Sequence, residues 1–71
     1  MNILITDNVD SLLLNLLKEH DINYEHNVSD SQNVLIQKIH LFDGMIVRNR
    51  LKIDAEFLMQ AKNLKFIARY G

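Results

Sequence analysis

Cysteine and proline are absent from the 71 residues, and glycine appears only twice. Without cysteine neither a disulfide framework nor a thiolate zinc site can form, and nothing argues for an oxidising compartment, so the cytoplasm is the expected location. Gly44 and Gly71 are too few for a phosphate-cradling G-x-G-x-x-G loop, and the dinucleotide fingerprint is missing. No apolar run approaches the ~20 residues that span a bilayer, and Met1-Asn2-Ile3-Leu4 lacks the basic start of a secretory signal. A soluble chain with no membrane partner is expected.

What is present is ordinary globular material, with 48% hydrophobic and 24% charged residues, too apolar for disorder. A chain this short makes one domain at most, with a thin stability margin. The formal net charge of −1 hides a split: residues 1–35 carry acids at 7, 10, 19, 21, 25 and 30 against Lys18 alone, whereas the remainder holds seven basic residues against three acidic ones. A basic half suits an acidic ligand. No nucleic-acid partner is expected, because the basic residues are spread over strand ends, loops and helix surfaces without aromatic interleaving.

Ile3-Leu4-Ile5, stopped by Thr6-Asp7-Asn8, has the length and branching of a strand buried on both faces. From Val9 the apolar residues switch to helical spacing, with Val9, Leu12, Leu13, Leu16 and Leu17 on one face. Asp7, Asn8 and Asp10 offer caps, and the helix is predicted to end near His20-Asp21. Ile22-Asn23-Tyr24-Glu25-His26 alternates at period two, as a half-buried strand near a sheet edge does. Ser29 and Gln32 fit a capping box for a second helix, with Val28, Leu35, Ile36 and Ile39 on one stripe up to His40. After an Asp43-Gly44 turn signal, Met45-Ile46-Val47 reads as a third strand, cut off by Arg48-Asn49-Arg50. Asp54 can cap a short helix through Ala61 that buries Phe57, Leu58 and Ala61. Leu64-Lys65-Phe66-Ile67-Ala68 then makes a fourth strand ending in Arg69-Tyr70-Gly71.

The order βαβαβαβ needs crossover connections, which are right-handed and give a parallel sheet covered on both faces. The fold class is therefore α/β, an incomplete flavodoxin-like parallel sheet in strand order 2-1-3-4. Ligands of such sheets bind outside the carboxyl ends of the strands, where strand order reverses, here between the first and third strands. Arg48 stands beside that point, and its planar fork suits a carboxylate or phosphate. The alternative is that Arg48 and Arg50 solvate a loop or pair with Asp7 and Asp54. Arg69 ends the neighbouring strand, and Tyr70-Gly71 sits where the backbone turns and leaves amides free to face a ligand, although an ordinary turn explains it as well. His20 and His40 fall near helix ends, where a cation meets the negative end of the dipole. His26 can face the cleft, but a lone imidazole does not make a metal site, and no metal is expected. Met45 and Met59 read as core filler and Tyr24 as a strand side chain packed on a helix.

The phrase Asp43-Gly44-Met45-Ile46-Val47-Arg48-Asn49-Arg50-Leu51-Lys52-Ile53 resembles the D-G-[LMI]-[IV]-V-R-S-[RA]-T-[KP]-[VI] stretch of the D-isomer-specific 2-hydroxyacid dehydrogenases. Leu64-Lys65-Phe66-Ile67-Ala68-Arg69-Tyr70-Gly71 is similar to that family's L-K-x-I-x-R-x-G, in the family's order and spacing. Ile3-Leu4-Ile5-Thr6-Asp7 and Asp54-Ala55-Glu56-Phe57-Leu58 also resemble the family, so the likeness covers the whole chain and only part of the family's length. It implies that residues 1–71 are the N-terminal part of a split substrate-binding domain. The NAD-binding Rossmann domain, which carries the family's catalytic arginine, glutamate and histidine, is absent from this stretch. No catalytic or cofactor-binding residue is expected here, and NAD belongs to the full-length parent.

The same resemblance implies substrate-binding roles for Arg48, Asn49, Arg69, Tyr70 and Gly71. Arg48 and Asn49 contact the substrate, the backbone around Tyr70 and Gly71 binds its carboxylate, and Arg69 reaches a distal phosphate in phosphoglycerate-type members. Asn49 stands where serine is usual and Leu51 where threonine is usual. The V-R-x-R phrase with the R-x-G strand end looks most like the phosphoglycerate-type members, with glyoxylate or hydroxypyruvate reductases close behind. The implied partners are a small anionic 2-hydroxy or 2-oxo acid, plain or phosphorylated, and further copies of the parent assembled through the absent domain. The 71 residues alone are expected to oxidise no 2-hydroxyacid.

Two other readings share the topology. A receiver-like signalling domain also has an acid at the Asp7 position, but it needs a phospho-accepting aspartate where this chain has Val47 and Arg48. A stand-alone interaction module would use the unpaired edge of the fourth strand and the uncovered helix faces.

Overall fold

The computed structural model describes residues 1–71. Four strands, β1 (Asn2–Ile5), β2 (Asn23–His26), β3 (Gly44–Val47) and β4 (Phe66–Arg69), form one parallel sheet in the order β2-β1-β3-β4. Helices α1 (Ser11–Glu19), α2 (Gln32–Leu35) and α3 (Ala55–Gln60) join them, with a 3-10 turn at Ile39–Leu41 before β3. β1 pairs with β2 from Asn2↔Asn23 to Ile5↔His26, and β3 with β4 from Gly44↔Phe66 to Val47↔Arg69. All four carboxyl ends therefore emerge on one side, and the α/β class and strand order are those the sequence pattern predicts.

Alternation along the strands sorts the core into two layers. Leu4, Met45 and Val47 join Leu35, Ile39, Phe42, Phe57 and Ala61 in a cluster built from α2, the 3-10 turn and α3. Ile3, Ile5 and Ile46 join Leu17 of α1, with Val9, Leu13 and Leu14 packed alongside. The first crossover thus covers one face and the later two the other, as right-handed connections require when the chain reverses direction across the sheet.

The helices depart from their expected boundaries for local reasons. Asp10 is the cap of α1, its Oδ1 accepting from the Leu12 amide at 3.1 Å, so the helix begins at Ser11. Its arc of five leucines is wider than the strip of sheet beneath it. Leu17 is buried, Leu13 and Leu14 are half-buried, and Leu12 and Leu16 stay exposed. Helix α2 is capped by Ser31, whose Oγ accepts from the Val34 amide at 3.3 Å, and Ser29 plays no such part. The expected stripe to His40 is broken into one short helix and a 3-10 turn, which still buries Leu35 and Ile39 and leaves Val28 exposed. Asp54 does cap α3, Oδ1 accepting from the Phe57 amide at 3.0 Å, but only Phe57 and Ala61 face inward and Leu58 is exposed. β4 starts at Phe66 instead of Leu64 and is exposed throughout, because it forms the edge of the sheet.

Asp43-Gly44 opens β3 and does not reverse the chain. The Asp43 carboxylate accepts from the Asn2 amide at 2.7 Å, the Asp43 amide donates to the Asn2 carbonyl at 2.8 Å, and its carbonyl accepts from the Lys65 amide at 2.6 Å. One residue thereby aligns the amino ends of β1, β3 and β4. Gly44 is needed for space, since an added Cβ would overlap the ring of Phe66 on the paired strand. Gly44→Ala is therefore expected to push that ring outward and loosen β4, costing about 1–3 kcal/mol. Urea unfolding would measure the loss, and a Phe66→Leu change in the same chain should recover part of it.

Candidate functional site at the carboxyl ends of β3 and β4

The chain leaves β3 through Arg48-Asn49-Arg50, all exposed. Asp7, two residues beyond β1, fixes this turn. Its Oδ1 accepts from the Arg48 amide at 2.9 Å, and its Oδ2 from the amides of Asn49 at 3.1 Å and Arg50 at 3.0 Å. The Thr6 hydroxyl donates the carboxylate's fourth bond, to Oδ1, at 2.9 Å. Partial burial pushes the Asp7 carboxyl upward, but bonds from the Arg48 amide, the Thr6 hydroxyl and the Arg50 and Asn49 amides outweigh it and hold the group below its ordinary value of 3.8.

Two more side chains brace the same loop. Arg50 donates from Nε to the Thr6 carbonyl at 2.6 Å, from Nη1 to the Asp30 carbonyl at 2.6 Å and from Nη2 to the Asn27 carbonyl at 2.8 Å. It stitches the loops after β1 and β2 to the loop after β3. The Gln32 side chain clasps Lys52, donating to its carbonyl at 2.5 Å and accepting from its amide at 2.8 Å. Beneath Asn27, Glu25 accepts from Lys38 Nζ at 2.7 Å and from Asn27 Nδ2 at 2.9 Å. These two bonds, Lys38 first, hold the Glu25 carboxyl below its ordinary 4.5. His26 Nε2 lies 3.0 Å from the Asp7 carbonyl, so this histidine belongs to the brace.

Folding lowers the pKa of both Asp7 and Glu25, so in acid the native state binds fewer protons than the unfolded chain. Their stabilisation is complete above the ordinary values of 3.8 and 4.5 and is lost as pH falls through the lowered ones. The urea midpoint should hold steady from neutrality and drop on acidification. A midpoint unchanged down to about pH 3 would contradict the assignment.

With Asp7 satisfied by amides and Arg50 bound to carbonyls, Arg48 and Arg69 are left without an acidic partner. The ion pairs in the chain are Lys38–Glu25 and Lys65–Asp43. The Arg48 side chain lies against Gly71, its Nε 3.2 Å from where a Cβ would stand. Gly71 has φ of +119°, in the region that favours glycine. Arg69 donates from Nη2 to Asn49 Oδ1 at 2.7 Å. Arg48, Asn49, Arg69 and Gly71 are thus gathered at one place.

Tyr70 is not part of that group. Its amide donates to the Val47 carbonyl at 2.8 Å, extending the sheet ladder, so it is not free for a ligand. Its ring packs in the α1 layer, and its hydroxyl accepts from the Asp10 amide at 3.0 Å. At the β1 end the Asp7 carboxylate is taken up by the amides of the loop after β3, while Arg48, Asn49, Arg69 and Gly71 gather at the ends of β3 and β4.

Asp7 also decides how the chain relates to NAD. A dinucleotide pyrophosphate would rest on the turn from β1 into α1, where this chain presents Asp7 and Asp10 and neither of its glycines. The residues present do not fit that group. Two shallow hollows, of about 330 and 260 Å³, open along the β2 edge near Tyr24 and Asn23. Both lie toward the amino ends of the strands, away from Arg48 and Arg69, and neither gathers an anion-binding set. The site is an open strand-end surface.

A model of the D-isomer specific 2-hydroxyacid dehydrogenase catalytic domain matches residues 3–71. The chain belongs to that family. A D-3-phosphoglycerate dehydrogenase of Archaeoglobus fulgidus is 28% identical over 71 residues, which are all of this chain and 14% of that protein. Crystal structures of proteins from Pyrococcus horikoshii and Thermus thermophilus match with TM-scores of 0.86 and 0.80, at 29% and 30% identity. They cover 96% and 97% of this chain and 20% and 23% of their own. The chain therefore spans under a quarter of the length of each of these relatives. The family is generally NAD-dependent.

The sequence offers Asp7 only as a helix cap or a charge partner for Arg48 or Arg50, whereas its carboxylate binds the backbone amides of the loop after β3, and Arg50 and Gln32 brace that loop without being expected to. Asp7 carries a faint signal, an acid placed straight after β1 opposite a basic β3 end. Arg50 and Gln32 carry none, because their partners are backbone carbonyls and amides twenty or more residues away.

Proposed function

We propose that these residues are the substrate-binding portion of an NAD-dependent D-2-hydroxyacid dehydrogenase. Arg48, Arg69 and the backbone at Gly71 hold the anionic groups of the acid, and Asn49 stands beside them. Hydride exchange with NAD requires groups outside residues 1–71, and the role of this segment is to hold and orient the acid. The observation that carries the reading is the pair of guanidinium groups without acidic partners, set around a glycine whose backbone conformation keeps that corner clear. A braced loop strengthens it, because a site whose backbone is already fixed loses little freedom on binding.

Among substrates, D-3-phosphoglycerate, the entry point of serine synthesis, fits best. It brings a carboxylate and a phosphate to a site with two free cations, and the A. fulgidus relative carries that enzyme's name. Calorimetry with the 71-residue chain tests the reading. D-3-phosphoglycerate should bind, NAD should not, and a mixture of the two should form no NADH. Tighter binding of glyoxylate or hydroxypyruvate would move the reading to a reductase of the same family. No binding of any of these acids, with concentration-dependent self-association, would favour an interaction module.

A further inference from the structure

β2 forms the edge of the sheet away from β4 and the anion-facing residues. Its ladder with β1 runs one-to-one and ends in a bond from the Asn27 amide to the Ile5 carbonyl at 2.8 Å. Bonding residues alternate along a parallel pair, so Asn23 and Glu25 face β1, while Tyr24 and His26 turn their amides and carbonyls outward. Sheet edges are commonly guarded by proline, lysine or a bulge. Asn23–His26 has none of these, and the edge is open to another strand.

A hollow lies on each face of this one strand. On the α1 face, a space of about 330 Å³ is lined by Ile22 and Tyr24, with Lys18 and Asp21 offsetting each other in charge. On the opposite face, about 260 Å³ opens beside Leu41, Phe42 and Glu25. Strand side chains alternate between faces, so an added strand would send successive side chains into one hollow and then the other. Ile22 and Tyr24 favour an apolar side chain. Glu25 takes its bonds from Lys38 and Asn27 on Oε2 alone, which leaves Oε1 without a partner beside the exposed Leu41. A lysine or arginine matches that pair, its stem on the leucine and its charge at Oε1.

We propose that the β2 edge takes up an extended peptide as a fifth strand, one with apolar side chains over Ile22 and Tyr24 and basic side chains over Leu41 and Glu25. A second copy of the chain is the poorer occupant. The twofold pairing that uses both outward residues sets Tyr24 against His26 of the other copy and therefore Glu25 against Glu25, and like charges directly opposite are destabilising.

The test is a titration of the chain with a capped peptide of about seven alternating valine and lysine residues, enough to span the edge, followed by backbone ¹⁵N NMR. The Tyr24 and His26 amides should shift and gain protection from exchange, with Arg48 and Arg69 unmoved. Methylating the peptide nitrogens on one alternate set should weaken binding at least about tenfold, and methylating the other set should leave it intact. A valine–glutamate peptide should bind at least about tenfold more weakly. Leu41→Ala, at an exposed position outside the strand, should cost about threefold. Indifference to which nitrogens are methylated would overturn the added strand, and equal affinity for the acidic peptide or for Leu41→Ala would overturn the basic face. Concentration-dependent shifts at Tyr24 and His26 in the chain alone, unchanged by peptide, would give the edge to a second copy and overturn the proposal.

Discussion

Replacing Arg48 with alanine should weaken D-3-phosphoglycerate binding by about two orders of magnitude, the equivalent of two charge-assisted hydrogen bonds. The fold should not notice. Arg48 is exposed, its side chain makes no hydrogen bond within the chain, and only its amide holds the loop to Asp7. The substitution keeps that amide, so the unfolding free energy should change by less than about 0.5 kcal/mol. Arg48→Lys should recover part of the affinity, because an ammonium supplies the charge without the planar fork. Calorimetric titration of the three proteins measures the ordering, and an alanine variant that binds as wild type does would remove Arg48 from the site.

Asp7 acts on the fold first. Asp7→Ala should destabilise the fold by about 3 kcal/mol, since it strips a charged acceptor from three successive backbone amides. For a domain of this size that is a large share of a total near 5 kcal/mol. Asp7→Asn should cost less, because one oxygen still accepts while the new NH₂ faces an amide donor. Ligand affinity should fall too, as the loop carrying Arg48 and Asn49 loses its brace. Urea unfolding at neutral pH reads the first effect, and the acid sensitivity traced to Asp7 should shrink in the same variant. A loss under about 0.5 kcal/mol would show that water replaces the carboxylate at little cost.

Strand content was legible because it is written in short, local runs. Ile3-Leu4-Ile5 and Met45-Ile46-Val47 are apolar at every position, and each alternate residue does go to a different layer of the core. Arg48 and Arg69 could be placed at strand ends for the same reason, since each directly bounds such a run. Helix α2 was misread because the spacing of Ser29 and Gln32 satisfies a local rule while the Gln32 side chain is bound to Lys52, 20 residues away. Asp7 had the chemistry of a helix cap, yet its amide partners lie 41 to 43 residues on. Tyr70 looked like a free turn until the parallel register of β3 and β4 used its amide. Each miss is a long-range contact that overrides a plausible local one.

The central claim is that an anionic hydroxyacid is held where β3 and β4 end. Backbone ¹⁵N NMR of the chain, titrated with D-3-phosphoglycerate, tests it most directly. The expected changes cluster at Arg48, Asn49, Arg69 and Gly71, with Asn23 and Tyr24 unmoved. Changes concentrated at the β2 hollows around Lys18, Asn23 and Tyr24, with the strand-end residues silent, would contradict the account.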